Sequence, residues 1–297
     1  MNSIHKTVLL KETIDGLNLQ PKSVVVDATF GGGGHSLEIC KQFPGVRIIA
    51  IDQDQGAFEK AKNKFEGTVC DITFVKANFR NLGEDLHADV DGIIFDLGLS
   101  SDQLENSGRG FSFIRNEPLL MTMKENPSPE DLTAREIVNT WEEKSLADII
   151  YGYGEERFSR WIAKAIVEGR KDKEIVTTFD LVKIIEEAVP GAYKRGRIHC
   201  ATKTFQALRI AVNDELGSLA EGLKAGFAKL KVGGRMGVIS FHSLEDRIVK
   251  NFYKDKKANG EAILINKKPI IAGETEVKSN PRSRSAKLRI LEKTQAN

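Results

Sequence analysis

The sequence contains no long apolar run that is free of charged residues. A membrane-spanning helix needs roughly 18 or more consecutive apolar residues, and no stretch of the 297 residues approaches that. The first turns of the chain carry Lys6, Lys11, Glu12 and Asp15 among their apolar positions. This is typical of a short amphipathic helix and unlike the apolar centre of a secretory signal. We therefore expect neither a membrane anchor nor a signal peptide.

The sequence also has little excess charge of either sign and few cysteines. The net charge is +2 and the pI about 8.3, so any surface for a nucleic acid has to be local. Cys40, Cys70 and Cys200 are odd in number and far apart, which favours neither a disulfide framework nor a zinc ligand set. We interpret them as three small buried side chains and expect a cytoplasmic location.

The histidines show no metal-binding spacing. His35, His199 and His242 lie far apart in the chain, without the short intervals that are typical of zinc sites. We predict that the protein needs no metal ion.

Short β-branched runs alternate with helical stretches over the first third of the chain. Strands are predicted at 24–27, 46–52, 71–76 and 92–97, with helices at 36–43 and 56–65. Such alternation is typical of a parallel sheet covered on both faces. The pattern from about 104 to 208 is mostly helical, and a strand returns at 236–241. The segments 262–265 and 287–291 are interpreted as a final hairpin with a long polar connection.

The predicted fold class is therefore α/β, with a doubly wound, Rossmann-like sheet domain. Residues 1–104 and 209–297 build the sheet domain, and residues 105–208 form an inserted helical domain. The helical pattern between Phe205 and Leu230 is compatible with one helix or with two, with Gly217 as a possible interruption. Ligands of such sheets bind beyond the carboxyl ends of the strands, at the switch point beside the first strand.

A glycine loop follows the first predicted strand directly. The segment Phe30–His35 holds four consecutive glycines, which let the backbone turn sharply and approach a ligand without Cβ atoms in the way. Asp52 closes the second strand about 20 residues later, where an acid accepts hydrogen bonds from ribose hydroxyls. Loop and acid together predict an adenosine-containing ligand. The alternative is a tight turn beside a solvated aspartate.

The sequence lacks the motifs that bind the phosphates of nucleotides. A P-loop requires Gly-Lys-Ser/Thr, whereas this loop ends Gly34-His35-Ser36. A dinucleotide fingerprint requires a third glycine where Ser36 stands and a second nucleotide-binding half, which the helical insertion displaces. A cofactor without phosphates fits best, and we predict S-adenosylmethionine.

Two further strand ends carry candidate site residues. Asp96 ends the fourth strand beside the first, where its carboxylate is placed to accept a hydrogen bond from the cofactor or from a target amine. Phe79 follows the third strand and is a candidate for contact with an adenine. Each residue alone is more often a core or solvated residue, and their common location favours the functional interpretation.

At these residues the chain resembles the small-subunit ribosomal RNA cytosine-N4 methyltransferases, the family called RsmH or MraW. Motifs that match occur in family order from one end of the chain to the other. They are 5–10 (HKTVLL), 29–36 (TFGGGGHS), 95–101 (FDLGLSS), 109–113 (RGFSF), 153–158 (YGEERF), 204–210 (TFQALRI), 240–250 (SFHSLEDRIVK) and 280–285 (NPRSRS).

The resemblance implies a class I methyltransferase that methylates N4 of a cytidine in the decoding region of 16S ribosomal RNA. It also implies S-adenosylmethionine as cofactor, the small ribosomal subunit as partner, and substrate recognition by the inserted domain. The implied cofactor contacts are Gly33, Gly34, His35, Asp52, Phe79, Asp96 and Gln103. Gln103 rests on the resemblance only.

The chain departs from the family pattern on the substrate side. Leu120, Thr122 and Lys124 replace two acids and an arginine, and Asp102, Cys200 and Lys203 stand where Pro, Pro and Arg are usual. The cofactor motifs are intact. The main alternative is therefore a non-catalytic RNA-binding assembly factor that keeps the cofactor pocket, and a nicotinamide dehydrogenase is disfavoured by the loop.

Cytosine N4 is a poor nucleophile, and an acceptor for its proton would assist transfer. Asp96 is the candidate acceptor, at the strand end where DNA amino-methylases carry an acidic or polar residue followed by two prolines and an aromatic ring. The run Asp96-Leu-Gly-Leu lacks those prolines and that ring. An aromatic platform is then expected elsewhere, with candidates Phe111, Phe113 and Phe241. Two runs rich in Lys and Arg, 193–212 and 278–293, are candidates for RNA contact. The residues predicted there or nearby for the substrate are Arg209, His242, Arg282 and Arg284.

Overall fold

The structure is a computed structural model, and it describes residues 6–100, 103–104, 106–125 and 127–295. The chain divides into two compact units, one formed by residues 1–98 with 216–297 and the other by residues 99–215. Among the described helices, none combines the length and the apolar character that a bilayer crossing requires.

The first unit begins with strands and helices in alternation. In chain order these are α1 (Leu10–Leu17), β1 (Val24–Asp27), α2 (Gly34–Gln42), β2 (Arg47–Asp52), α3 (Gln55–Lys62), β3 (Asp71–Lys76), α4 (Leu82–Asp85) and β4 (Val90–Asp96). Asp54 caps α3, since its side chain accepts a hydrogen bond from the Gly56 N–H. The four strands lie where the β-branched runs predict them.

The second unit is helical. It contains α5 (Ala134–Thr140), α6 (Glu143–Gly152), α7 (Ser159–Asp172), α8 (Thr178–Ala188), α9 (Gly191–Lys194) and α10 (Thr202–Asn213). The apolar side chains of these helices form one common core, against which Tyr193 of the short α9 also packs. Its fully enclosed members include Ile137, Ile150, Ile162, Leu181 and Leu208. The unit therefore has a hydrophobic core of its own.

The chain then returns to the sheet. The elements are α11 (Glu215–Lys229), β5 (Leu230–Ser240), α12 (Ser243–Ala258), β6 (Ala262–Leu264), β7 (Ile270–Ile271), α13 (Glu274–Ser279) and β8 (Lys287–Lys293). The long pattern between Phe205 and Leu230 is two helices, α10 and α11. The break falls at Asp214, which has a left-handed φ of 45°, and α11 runs through Gly217.

The described strands form one eight-stranded sheet in the order β3-β2-β1-β4-β5-β8-β6, with β7 paired to β8. Pairs from β3 to β5 are parallel, and β8 runs antiparallel to β5, β6 and β7. The predicted final hairpin is confirmed by the β6–β8 pair, and β7 lies within what the sequence indicates as a loop. The order reverses between β1 and β4, which makes this the switch point.

Helices cover both faces of the sheet. In β1, Val26 packs with Leu223 and Phe227 of α11 on one face, whereas Val25 packs with Ile14 of α1 and Ile39 of α2 on the other. Alternate residues of a strand point to opposite faces, so the apolar run of β1 is buried on both sides. This confirms the α/β class with a central, doubly covered sheet.

The prediction for two of the cysteines is wrong. Cys40 and Cys70 form a disulfide, with Cα atoms 5.4 Å apart and a sequence separation of 30. The fold brings the end of α2 close to the start of β3. The separation of the two cysteines in sequence does not predict this proximity. Cys200 is a free, buried thiol as predicted. The cysteines therefore do not support the expectation of a reducing compartment.

Candidate functional site

The glycine loop lies at the carboxyl end of β1 and leads into α2. Gly31 and Gly33 have left-handed φ angles of 51° and 70°, a region that glycine occupies at little cost. A Cβ on Gly33 would come within 2.6 Å of the Phe30 ring, and one on Gly34 within 1.8 Å of Thr7 Oγ1. The loop therefore accepts no side chain at these two positions.

Asp52, at the end of β2, holds the glycine loop. Its Oδ2 accepts a hydrogen bond from the Gly31 N–H at 2.8 Å, and its Oδ1 accepts one from the Asp54 N–H at 2.9 Å. Burial raises the pKa of the Asp52 carboxyl above its usual value. Each carboxylate oxygen has a second lone pair, so the group can fix the loop and still accept from a ribose hydroxyl.

Asp27, at the end of β1, is a site residue that the sequence interpretation missed. Its Oδ2 accepts a hydrogen bond from Ser36 Oγ at 2.6 Å and its Oδ1 one from the Thr29 N–H at 3.4 Å. Burial is the largest cause that raises the pKa of Asp27 to about 6. A sequence signal exists, because an acid ends an otherwise apolar strand directly before the loop.

Asp96, at the end of β4, lies in the most acidic part of the site. Its Oδ2 is 3.7 Å from Nδ1 of the buried His35, and its backbone N–H donates to Thr29 Oγ1 at 2.6 Å. Burial first, and then the charges of Asp27 and Glu245, raise the pKa of Asp96 to about 8. Within the described residues, Asp96 Oδ1 is buried without a hydrogen-bond partner. A buried acceptor of this kind is costly unless a ligand satisfies it.

Glu245 is the second residue that the sequence interpretation missed. It is 3% exposed, and its Oε2 accepts hydrogen bonds from the backbone N–H groups of Phe241 at 2.8 Å and His242 at 3.3 Å. His242 is the N-cap residue of α12, and its Nε2 lies 3.1 Å from Glu245 Oε1. A capping box that begins at Ser243 and ends at Asp246 is what the sequence suggests, but the box in the structure is one residue earlier, His242 with Glu245. The approach of Glu245 to Asp96 requires the sheet.

The structure brings the predicted Gly33, Gly34, His35, Asp52 and Asp96 to one edge of the sheet. Phe79 also follows β3 at this edge, where its ring packs edge-on against Phe95 with centroids 5.6 Å apart. A Cβ on Gly222 of α11 would come within 2.7 Å of that ring. Phe79 is thus part of the core packing at the site, and its contact with an adenine stays a prediction.

Gln103 belongs to the second unit. Its Oε1 accepts a hydrogen bond from the Ser100 N–H at 2.9 Å, and its own N–H donates to Ser100 Oγ at 3.2 Å. These bonds join Gln103 to Ser100 of the Phe95–Ser101 motif. Asp102, one of the departures from the family, lies outside the described residues.

The residues predicted for the substrate have differing surroundings. Arg209 forms a two-point ion pair with Glu215, at 2.7 and 2.8 Å, and its side chain is 17% exposed. Arg282 and Arg284 lie on the 3₁₀ turn Pro281–Ser285, and both are exposed. Arg209 thus has a structural partner and little exposure, whereas the two arginines of the turn are accessible to a ligand.

The three aromatic residues that are candidates for stacking on the target base already pack against other parts of the protein. Phe111 is buried, with the Arg109 guanidinium 5.5 Å from its centroid, and Phe113 stacks on His199 at 4.7 Å. Phe241 follows β5, and a Cβ on Gly98 would lie 3.4 Å from its ring. Of the three, Phe241 is the one in the sheet unit, after a strand that neighbours β4.

A group of possible metal ligands occurs in the second unit, formed by Glu186, His199 and Cys200, with ligand atoms within 4.8 Å of one another. His199 Nδ1 accepts a hydrogen bond from the Ala201 N–H at 3.2 Å, and its Nε2 is 3.5 Å from Glu186 Oε1. Both ring nitrogens therefore have partners within the protein. That the protein needs no metal ion stays a prediction.

Buried carboxyl groups lie beside the glycine loop at the switch point of a doubly wound sheet. This arrangement fits a cationic adenosyl ligand better than a pyrophosphate. Fold and site together define a methyltransferase that uses S-adenosylmethionine. The sequence matches the MraW methylase family over residues 2–294, and the chain belongs to this family. The family match confirms the predicted fold class, the enzyme class and the cofactor.

A curated relative agrees with this assignment. The chain is 44% identical over 311 aligned positions to the ribosomal RNA small subunit methyltransferase H of Limosilactobacillus fermentum, with 97% of this chain and 98% of that protein covered. The predicted resemblance to the RsmH family is thereby confirmed.

Solved structures with a similar fold include an rRNA methylase from Streptococcus thermophilus, with a TM-score of 0.44 at 12% identity, covering 97% of this chain and 93% of that one. A Streptococcus mutans protein in complex with SAH has a TM-score of 0.47 at 12% identity, covering 97% and 99%. These similarities are too low to bear on function.

Proposed function

We propose that this protein transfers the methyl group of S-adenosylmethionine to the N4 amine of a cytidine in the decoding region of 16S ribosomal RNA. The observation that carries the proposal is the buried acidic group at the ends of β1 and β4, where Asp96 Oδ1 has no partner among the described residues. The whole-length match to a small-subunit methyltransferase supports the choice of RNA.

The residues at the site suit the cofactor. Gly33 and Gly34 let the loop pack directly against Phe30 and Thr7, and Asp52 has lone pairs left for two ribose hydroxyls. The carboxyl groups of Asp27 and Asp96 favour a positive charge nearby. When bound, S-adenosylmethionine supplies a methyl group that its sulfonium charge has already activated.

The protein's own contribution is then to position the amine and to receive its proton. The lone pair of cytosine N4 is delocalised into the ring, so a hydrogen-bond acceptor at the N–H makes it more available. Asp96 Oδ1 is that acceptor. Alignment of two reactants can lower a barrier by roughly 7–11 kcal/mol, and a positioned base typically adds about 10²–10⁴-fold in rate.

The helical unit and the exposed basic residues are proposed to bind the RNA. Residues 105–208 are assigned to recognition of the substrate, which must present an unpaired cytosine because a stacked base cannot reach the carboxyl group. Arg282 and Arg284 are exposed and suit contacts to phosphates. The partner would be the small ribosomal subunit or its RNA, and the location would be the cytoplasm.

The test is methyl transfer from isotopically labelled S-adenosylmethionine to small subunits isolated from cells that lack this enzyme, followed by nucleoside analysis. We expect label in 4-methylcytidine, at one position of 16S RNA. Label in 5-methylcytidine would refute Asp96 as the group that receives an N4 proton. Absence of label, with binding to the subunit retained, would favour the alternative of a non-catalytic assembly factor, in line with the changed residues Leu120, Thr122 and Lys124.

A further inference from the structure

An exposed tryptophan stands at the start of α7 in the second unit. Trp161 is 57% exposed, although the opposite face of the helix buries Ile162, Ala163 and Ile166 in the core. Single apolar side chains on a surface are ordinary. Trp161 is different because other flat side chains surround it.

Three of these side chains form a continuous group with Trp161. The Phe158 ring lies 5.3 Å from the Trp161 ring and 4.9 Å from the Tyr193 ring. The Arg157 guanidinium lies over both Phe158 and Tyr193, at 4.7 and 5.0 Å from their centroids. Arg157 is itself exposed, so the group offers flat surfaces of indole, phenol and guanidinium together. We call these four residues the aromatic patch.

A buried carboxylate holds the aromatic patch in place. Glu156 is fully buried, and it accepts hydrogen bonds from the Tyr193 hydroxyl and, at 2.9 Å, from the Phe158 N–H. Burial and the bond to Glu156 raise the pKa of Tyr193, so its hydroxyl stays protonated. Rings that are fixed before a ligand arrives lose less entropy on binding.

Three exposed basic residues adjoin the aromatic patch along the chain. Arg160 is exposed on α7, and Lys194 and Arg195 are exposed directly after Tyr193. Within the described part of the chain, these three make no ion pair. Helix α7 also begins without a side-chain cap and without an acid in its first turn, so the positive end of its dipole adds to the same charge.

We propose that the aromatic patch stacks an unpaired nucleotide of the RNA substrate, with Arg160, Lys194 and Arg195 contacting the neighbouring phosphates. Bases stack on aromatic and guanidinium planes in proteins that bind single-stranded RNA. The inference rests on the proposed function for its choice of RNA. It adds a binding site, remote in sequence from the cofactor motifs, for a nucleotide other than the one that is methylated.

Tryptophan fluorescence tests the stacking without reference to turnover. The chain has two tryptophans, so a Trp141→Phe variant reports Trp161 alone and a Trp161→Phe variant reports Trp141 alone. We expect a single-stranded RNA of about a dozen nucleotides to quench Trp161 and to leave Trp141 unchanged, and the same RNA as a duplex to quench Trp161 much less. No quenching of Trp161 by the single strand would overturn the proposal.

Turnover provides the second readout. Stacking of one base contributes about 1–3 kcal/mol, so Trp161→Ala should raise the KM for unmethylated small subunits about fivefold or more. The kcat and the affinity for S-adenosylmethionine should not change, and Trp161→Phe should recover most of the loss. Phe179→Ala is the matched control, because Phe179 is also exposed and sits near the other end of α7, where Lys173 pairs with Asp180.

The outcomes separate this inference from the proposed function. If wild-type protein methylates the subunit and Trp161→Ala keeps its KM within about twofold, the aromatic patch is not an RNA site and the proposed function stands. If wild-type protein transfers no methyl group, the proposed function fails, and the quenching result still decides about the patch. If Trp161→Ala weakens binding to subunits while deproteinised RNA never quenches Trp161, the surface binds a protein and the proposal is wrong.

Discussion

The carboxylate of Asp52 accepts a hydrogen bond from the backbone N–H of Gly31 at 2.8 Å. The residue proposed to bind the ribose therefore also fixes the glycine loop, which is proposed to contact the cofactor. A change at Asp52 should disturb both, and the first prediction follows from that double role.

Asp52→Ala should weaken binding of S-adenosylhomocysteine at least about tenfold. A hydrogen bond to a charged group contributes about 1.5–3 kcal/mol, and the alanine variant loses those to the ribose and the one to Gly31. Asp71→Asn is the control, because Asp71 is exposed at the start of β3 and pairs with the exposed Arg47. Calorimetric titration measures both. Equal affinities of the two variants would show that Asp52 does not bind the ribose.

Asp96→Asn should lower methyl transfer by about 10²–10⁴-fold, the usual contribution of a positioned base. The amide presents one oxygen but cannot take up a proton. Affinity for S-adenosylhomocysteine should stay within a fewfold of wild type, so single-turnover rates at saturating cofactor give the answer. Retained turnover with bound cofactor would exclude Asp96 as the proton acceptor.

The affinity for S-adenosylmethionine should rise with pH. Folding raises the pKa of Asp96 to about 8 and that of Asp27 to about 6, so Asp96 is mostly protonated at pH 6 and must ionise to attract the sulfonium. We expect affinity to increase about tenfold or more from pH 6 to pH 8. S-Adenosylhomocysteine has no sulfonium charge and should show a much weaker dependence, as should Asp96→Asn. A flat profile for S-adenosylmethionine would contradict this electrostatic account.

The same pKa shifts make the stability of the unliganded protein depend on pH. For a carboxyl group whose pKa is raised by folding, the native state binds more protons than the unfolded chain at intermediate pH. Its contribution to stability is therefore complete below the unfolded value of 3.8 and is lost as the pH rises through about 6 for Asp27 and about 8 for Asp96.

Gly34→Ala should destabilise the loop, because the added Cβ would lie 1.8 Å from Thr7 Oγ1. Overpacking of this kind typically costs about 1–3 kcal/mol. The double variant Thr7→Gly with Gly34→Ala removes the obstructing side chain and should recover most of the loss in thermal stability and in cofactor affinity. If the double variant is no better than Gly34→Ala alone, steric conflict with Thr7 is not the cause.

The disulfide gives a prediction about free thiols and stability. Oxidised protein, denatured without reductant, should show one reactive thiol, that of Cys200, and three after reduction. A cross-link across 30 residues contributes about 3–4 kcal/mol, so Cys40→Ser with Cys70→Ser should lower the free energy of unfolding by about that amount. Three thiols in the oxidised sample would contradict the Cys40–Cys70 pair.

Local patterns are sufficient to predict the elements that build the cofactor site. The strand ends at Asp52 and Asp96 are predicted from buried β-branched runs. The loop at the end of β1, which lies between those two strands in the sheet, is predicted from its glycines. Contacts between distant segments are beyond the reach of such patterns. The Cys40–Cys70 pair, the approach of Glu245 to Asp96 and the aromatic patch each depend on which helices and strands become neighbours. The break between α10 and α11 is not predicted for another reason. The residue with the left-handed conformation there is Asp214, and a glycine is the residue that usually indicates such a helix end.

Mass spectrometry of 16S RNA from cells that lack this protein shows whether the enzyme methylates cytosine N4 in the cell. We expect one 4-methylated cytidine of the decoding region to disappear, wild-type protein to restore it, and Asp96→Asn not to restore it. Persistence of the modification in the deleted strain would rule out this activity, and its restoration by Asp96→Asn would rule out Asp96 as the proton acceptor.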